Sequence, residues 1–360
     1  MVVRCTGRLQ VGGKPAKKGD NPVPITAIPG AVRLRNFQLG AEVTFATTAV
    51  ATRRYPWKFT PTVEPHWTFP DVDGGNIDRP IAPYPTAYDY TGSSDGPLNY
   101  NDLPALMTAL YKPVTPVTSG ATTWTCQPAS VTQDNFQTFT AEWGDETTDQ
   151  LRFRGGLLEQ LVLTAPDDQG PVTHTGSWRF AAMDYPQAPT GSLSVDPSPT
   201  PWMSTDTTVY LDATAAGIEG TALTNAIHSW VLTIKNTIDV KRFQNGSNTR
   251  LVASGYGRGL RTVEFKITGA KSAAILTEIA NFLNSNPQQR FLGIKTQSPI
   301  MASGATNYSS DLRFAGYWTV HADTTHGAAN TAAELTCNNV YNPTLAYAQK
   351  WVVVNALASL

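Results

Sequence analysis

The chain runs to 360 residues, of which 41% are hydrophobic, 10% aromatic and only 15% charged, with a formal net charge of −1. That composition excludes collagen-like and wholesale disordered chains, and no run of ~18 apolar residues marks a membrane span. Charge is scarce against the ~25% of an average domain. Because interfaces shed Lys, Asp and Glu and gain aromatics, the balance suits a protein that works inside an assembly, although a threonine-rich β surface gives the same figure.

In chain order, residues 1–30 read as an extended arm, rich in Gly, Pro and Lys. They carry no apolar segment of the secretory kind, so synthesis in a cytoplasm is expected. Residues 31–43 alternate as one or two strands. Seven prolines between positions 56 and 85 predict mainly loop with short edge strands. Asn101 or Asp102 as cap, Pro104 in the first turn and Leu103, Leu106, Met107 and Leu110 on one face predict an amphipathic helix at 103–111. Strands are expected at 122–126, 135–143, 151–165 and 172–183. The five prolines of 184–205 read as an inter-domain linker. Strands at 228–236 and 261–269 precede a helix at 272–284, capped by Ser272, with Ile275, Leu276, Ile279, Phe282 and Leu283 as its apolar face. Strands at 290–296, 312–322, 333–337 and 350–357 complete a mainly β chain with two short helices. The expected organisation is an arm (1–30), a first β unit (31–183), a linker (184–205) and a second β unit (206–360).

Chemistry is sparse. Cys5, Cys126 and Cys337 are an odd, widely spaced set, which reads as idle thiols and not a disulfide framework. The five histidines show no zinc spacing, and the i,i+5 pair His321 and His326 falls on opposite faces of a strand, so no metal is expected. Asp145, Glu146 and Asp149 lack the spacing and glycine of a calcium loop and read as a solvated turn. SGYGRGL (254–260) reads as a hairpin turn, with no helix-forming segment after it to cradle a phosphate. No nucleophile or nucleotide motif appears, so no enzyme activity and no cofactor are expected. Charge is uneven: residues 1–60 carry net +8, 61–200 net −12 and 201–360 net +3. Either neighbouring copies meet through complementary charge, or a basic tail sits beside a solvated acidic surface.

One string recurs. LRFRG at 151–155 returns as LRFAG at 312–316, an offset of 161, and the two helices lie about 171 apart. Each helix precedes its LRFxG strand. Tandem duplication of one β unit accounts for this; two unrelated β-rich halves with similar turns are the other account.

From about Gly96 to Met183 the chain resembles the major tail (tail tube) proteins of long, flexible-tailed, siphovirus-type bacteriophages. The helix PLNYNDLPALMTALY leads into a TWTC strand, then FQTFTAEWGD, then LRFRGGLLEQLVLTAPDDQGPVTHTGSWRF. SWVLTIKN, DVKRFQNGSNTR, and VEFKITG with its helix extend the similarity, which covers roughly 35–300. The resemblance implies a β-sandwich or half-barrel tail-tube fold and a structural virion protein. Its copies would form stacked rings around a bore that conducts DNA without sequence-specific contact, with tail tip, tape-measure and terminator proteins as partners. Two such units per chain would make a trimeric ring pseudo-sixfold; one would require six chains. A bore with few Lys/Arg would not hold phosphates. The basic arm, through Arg4, Arg8, Lys14, Lys17 and Lys18, is the candidate inter-ring clasp on charge and flexibility. The competing reading is a β-sandwich binding module of a tail tip or baseplate, of which a carbohydrate-binding one would need an exposed aromatic platform.

Overall fold

Two long strands, each bent once, organise the molecule. The computed structural model describes residues 35–69, 84–130, 132, 134–145, 150–196, 199–243, 252–326 and 330–360. The first half holds β1 (Asn36–Ala41), β2 (Arg53–Tyr55), β3 (Lys58–Thr68), β4 (Tyr84–Pro97), α1 (Leu103–Leu110), β5 (Val117–Ser119), β6 (Ala121–Cys126), β7 (Phe139–Gly144), β8 (Leu151–Ala165), β9 (Thr173–Phe180) and β10 (Ala182–Asp184). The second holds β11 (Thr207–Asp212), β12 (Ile227–Lys241), β13 (Gly255–Ala270), α2 (Ala273–Phe282), β14 (Arg290–Ser303), β15 (Thr306–His326), β16 (Asn330–Val340) and β17 (Gln349–Asn355). All strand pairs are antiparallel, and the protein is mainly β, as the alternating sequence requires.

The bends fall on the repeated string. The first stretch of β8 pairs with β7 and β10, and from Leu157 onward β8 pairs with β9. Likewise the first stretch of β15 lies between β14 and β17, and the rest pairs with β16. Glycine is required at both corners. Gly155 has φ +68, and a Cβ there would stand 2.6 Å from the Ala181 Cβ; one on Gly316 would stand 2.5 Å from the Cys337 Sγ and the Asn338 carbonyl. The first corner is further held by the buried Glu42 carboxylate, which accepts from the Gly155 and Ala46 amides and the Thr138 and Thr140 hydroxyls at 2.7–2.9 Å.

The strand pairings of the halves match. The small sheet β1–β7–β8–β10 has the same connections as β11–β14–β15–β17. The quartet β3–β4–β9–β8 has those of β12–β13–β16–β15. Even the bulges correspond, at Leu158/Gln160 and at Trp318/Val320. One hairpin breaks the match: β6, with β5 beside it, adds to β17 and so inserts part of the first half into the second.

Several expectations need correction. In the proline-rich stretch after Pro56 the described residues are mainly strand: β3 and β4 pair at length, beyond the short edge strands expected, and β3 tolerates Pro61 and Pro65 because among the described residues it is an edge strand. SGYGRGL is not a turn; Gly255–Leu260 belong to β13 and pair with the far part of β12. Helix α1 is not amphipathic, since all eight residues are buried. Asp102 stands at its N-cap but makes no side-chain cap, its carboxylate being held by Arg53 and Asn99. Ser272 does cap α2, accepting from the Ile275 amide. Leu276 and Leu283, however, are exposed instead of facing a core. Within the expected linker, 184–205, Trp202 is buried, its amide donates to the Leu98 carbonyl, and its indole packs on Tyr100 and Trp230.

The core is aromatic. Phe37, Phe59, Phe153, Trp178 and Phe180 fill the space between the small sheet and quartet of the first half; Trp230, Phe265 and Phe314 belong to the same apolar cluster in the second. Several of the buried indoles find side-chain acceptors, Trp124 on Asn355, Trp178 on Ser94, Trp318 on Glu278 and Trp351 on Ser310, whereas the Trp57 indole nitrogen is buried without one.

Candidate assembly surface

The two quartets join into one eight-stranded sheet, because β8 pairs with β12. This internal seam runs Ala165 opposite Trp230, Thr164 opposite Val231, Leu163 opposite Leu232, Val162 opposite Thr233, Leu161 opposite Ile234 and Gln160 opposite Lys235. The strand order is therefore β3–β4–β9–β8–β12–β13–β16–β15. Among the described residues, β3 pairs only with β4, and β15 beyond Gly316 pairs only with β16. Both ends of the sheet are open, and they are ends of opposite kind: β3 corresponds to β12 and β15 to β8. An unpaired edge of this sort is a site for another strand.

Alternation along the strands turns one face of this sheet to the core and the other outward. The outward face is covered with hydroxyls: Thr60 and Thr62 on β3, Ser93 on β4, Thr173 and Thr175 on β9, Thr164 on β8, Thr233 and Thr237 on β12, and Thr262 and Thr268 on β13. Among its charges Arg179 pairs with Glu159 and Lys266 with Glu334 at 2.8 Å, while Glu64 stands opposite Asp89. Such a face has little to offer a polyanion beyond weak hydrogen bonding.

The far part of the β12–β13 hairpin lies over the first half. The Tyr256 hydroxyl donates to the Gly155 carbonyl at 2.9 Å, and its ring meets Phe45 edge-on at 5.2 Å. Asn236 donates to the Leu110 carbonyl, Arg258 donates to the Tyr111 carbonyl and covers the Phe136 ring, and Arg242 pairs with Asp89. These contacts reach the C-terminal end of α1, whose body packs chiefly on β8 and β6. The corresponding hairpin, β3–β4, presents Val63, Trp67 and Phe69 to solvent. The counterpart helix, α2, leaves Leu276 half exposed and Leu283 70% exposed.

The arm residues Arg4, Arg8, Lys14, Lys17 and Lys18 lie outside the described residues, as do Cys5 and most of the Asp145–Asp149 cluster. Cys126 and Cys337 are buried free thiols; burial raises the Cys126 thiol to about 12 and pushes Cys337 up as well. Among the described residues no group of three or more His, Cys, Asp or Glu is arranged to hold a metal, and no helix is long and apolar enough to cross a membrane. Eight of the nine tryptophans are buried; Trp67 is open, at 49%, with Phe69 exposed close by in sequence. The prolines of the stretch after Pro56 pointed to short edge strands, and 59–64 lie in one of them; nothing in the sequence marked 320–325, in the expected strand 312–322 and just beyond it, as an edge.

A bent-strand double sheet with a hydroxyl-covered face and two open edges defines a β-rich structural protein. The model of the phage tail tube protein family matches residues 33–279, and the chain belongs to that family. It is thus a structural tail tube protein, a virion component that builds a tube with other tail proteins. No curated protein matches the chain.

Proposed function

We propose that three copies of the chain close into a ring, that rings stack, and that the bore conducts DNA from the virion into the host cell. The observation that carries this reading is the internal seam: a chain that already joins one quartet to another through unlike edges, and that leaves the same two kinds of edge free, extends head to tail. Head-to-tail contacts form a ring when the rotation closes. The two halves act as tandem copies of one unit, so three chains supply six equivalent quartets.

Size favours three. Three chains place 24 strands around the bore. At ~4.8 Å per strand, and with tilts up to ~40°, the backbone diameter is roughly 37–48 Å. Removing ~5 Å of side chain on each side leaves a bore of roughly 27–38 Å, enough for a double helix and little more. Six chains would double the backbone diameter. The hydroxyl-covered face lines the bore and lets the phosphate backbone slide, the basic arm clasps neighbouring rings through Arg4, Arg8, Lys14, Lys17 and Lys18, and the tail is of the long, flexible kind.

Electron microscopy of the purified protein, with tip components supplied as nucleus, tests this. Hollow tubes built of rings are expected, with native mass spectrometry giving a species three times the 38.9 kDa of one chain. Discrete particles that never associate would overturn the reading, and six-chain rings would overturn the stoichiometry. Tubes of normal stability after removal of residues 2–20 would remove the arm from the assembly.

A further inference from the structure

We infer that the seam between copies repeats the internal seam residue for residue, β3 of one copy running antiparallel to the second stretch of β15 of the next, with Phe59 opposite Thr325, Thr62 opposite Ala322 and Val63 opposite His321. The inference rests on the ring proposed above and adds its geometry.

The register follows from the strand pairs alone. Aligned at their bulges, β8 and β15 correspond with an offset of 160, so Gln160–Ala165 map onto Val320–Thr325. Passing through β9/β16 and β4/β13, β3 and β12 correspond with an offset of 171, so Phe59–Glu64 map onto Trp230–Lys235. Transferring the internal pairs gives Phe59 with Thr325, Thr60 with Thr324, Pro61 with Asp323, Thr62 with Ala322, Val63 with His321 and Glu64 with Val320.

Two further observations fit this occupant. The internal seam brings the β12–β13 hairpin against the C-terminal end of α1, where Asn236 and Arg258 donate to the Leu110 and Tyr111 carbonyls. The transferred seam brings the β3–β4 hairpin, with exposed Val63, Trp67 and Phe69, over α2 of the next copy, where Leu276 and Leu283 are exposed. Apolar surface open on both sides of one contact is covered in a single step. The other observation is proline. Pro61 stands where Leu232 stands in the internal seam, and with Pro65 it turns its missing N–H away from β4 toward the open edge. The edge keeps donors at Phe59, Val63 and Trp67 between the prolines. A blunted edge resists indiscriminate pairing while it waits for its partner.

Cysteine pairing reads the register. In a Cys5→Ser background, Thr62→Cys with Ala322→Cys is oxidised in assembled tubes. Both native side chains are exposed, so folding is not at stake. Covalent dimers and trimers are expected, with about ten-fold less from Lys58→Cys with Ala322→Cys, four positions out of register and beyond disulfide reach. Tubes without the matched product, or with more from the mismatched pair, overturn the register and leave the proposed ring standing. Absence of any ring or tube overturns both. Hydrogen exchange on the unsubstituted protein gives a second reading: amides within 59–64 and 320–325 gain protection on assembly, and unchanged exchange there overturns the inference.

Discussion

Helices α1 and α2 hold matching places in the two halves, each leading toward the bent strand of its half, yet one is wholly buried and the other exposes two leucines. Their own sequences do not account for the difference. Both carry apolar residues at helical spacing. What differs is what meets them: α1 packs on β8 and β6 and takes hydrogen bonds from the β12–β13 hairpin at its C-terminal end, whereas α2 packs chiefly on β15.

Substitutions break that comparison most sharply at α1. Leu106→Ala should cost about 2–5 kcal/mol in chemical denaturation, the usual penalty for a cavity under full burial. Next comes the first corner. Glu42→Ala removes one acceptor group from four donors and should cost about 2–4 kcal/mol; the matching strand registers put the exposed Thr214 where Glu42 stands, and the carboxylates near LRFAG, Glu219 and Asp311, hold the Arg313 side chain instead, so Thr214→Ala should cost under ~0.5 kcal/mol. If the two substitutions cost the same, the corners are not held differently.

The halves should also separate by pH. Burial depresses His174 from 6.5 to about 4 in the first half, against a weaker opposing hydrogen bond from the Gly96 carbonyl. A lowered value means that the unfolded chain takes up the proton first. Stability is present above pH 6.5 and falls as pH drops toward about 4, by on the order of 3 kcal/mol at most. In the second half, burial and the neighbouring Asp311 carboxylate raise Glu219 from 4.5 to about 7, opposed by Arg313 and Lys295. This carboxyl contributes its stability below pH 4.5 and loses it as pH rises through about 7, a smaller effect because the group is partly solvated. Melting curves from pH 4 to 8 for Glu219→Gln should lose the alkaline limb only, and for His174→Leu the acid limb only. The smallest effect sharpens the comparison best: Leu276→Ala on α2 should change the stability of the single chain by less than ~0.5 kcal/mol and yet slow tube formation. A cost matching that of Leu106→Ala would mean that α2 is already covered within the chain.

Much of this was legible. Predicted strands coincide with β6, β8 and most of β9, and Ser272 caps α2 as its hydroxyl and spacing require, because alternation and capping are local and need no partner. The long β3–β4 hairpin was hidden because prolines argue against a strand unless it is known to lie at an edge, which is a fact about neighbours. Gly255–Leu260 looked like a turn for a similar reason. A glycine-rich run is held as strand only when an opposite strand, here the far part of β12, supplies the hydrogen bonds.

The sequence by itself determined the mainly β class, the two helices and, through LRFRG and LRFAG, the places where two strands turn, since only glycine fits the corners at Gly155 and Gly316. The tertiary structure decided the rest: that β8 joins β12, that α1 is wholly buried while α2 exposes Leu276, and that among the described residues 59–64 and 320–325 are left as free edges. Backbone hydrogen-bonding groups are the same at every residue, so no side-chain pattern can say which strand stands beside which; only the completed sheet shows where its unpaired groups remain.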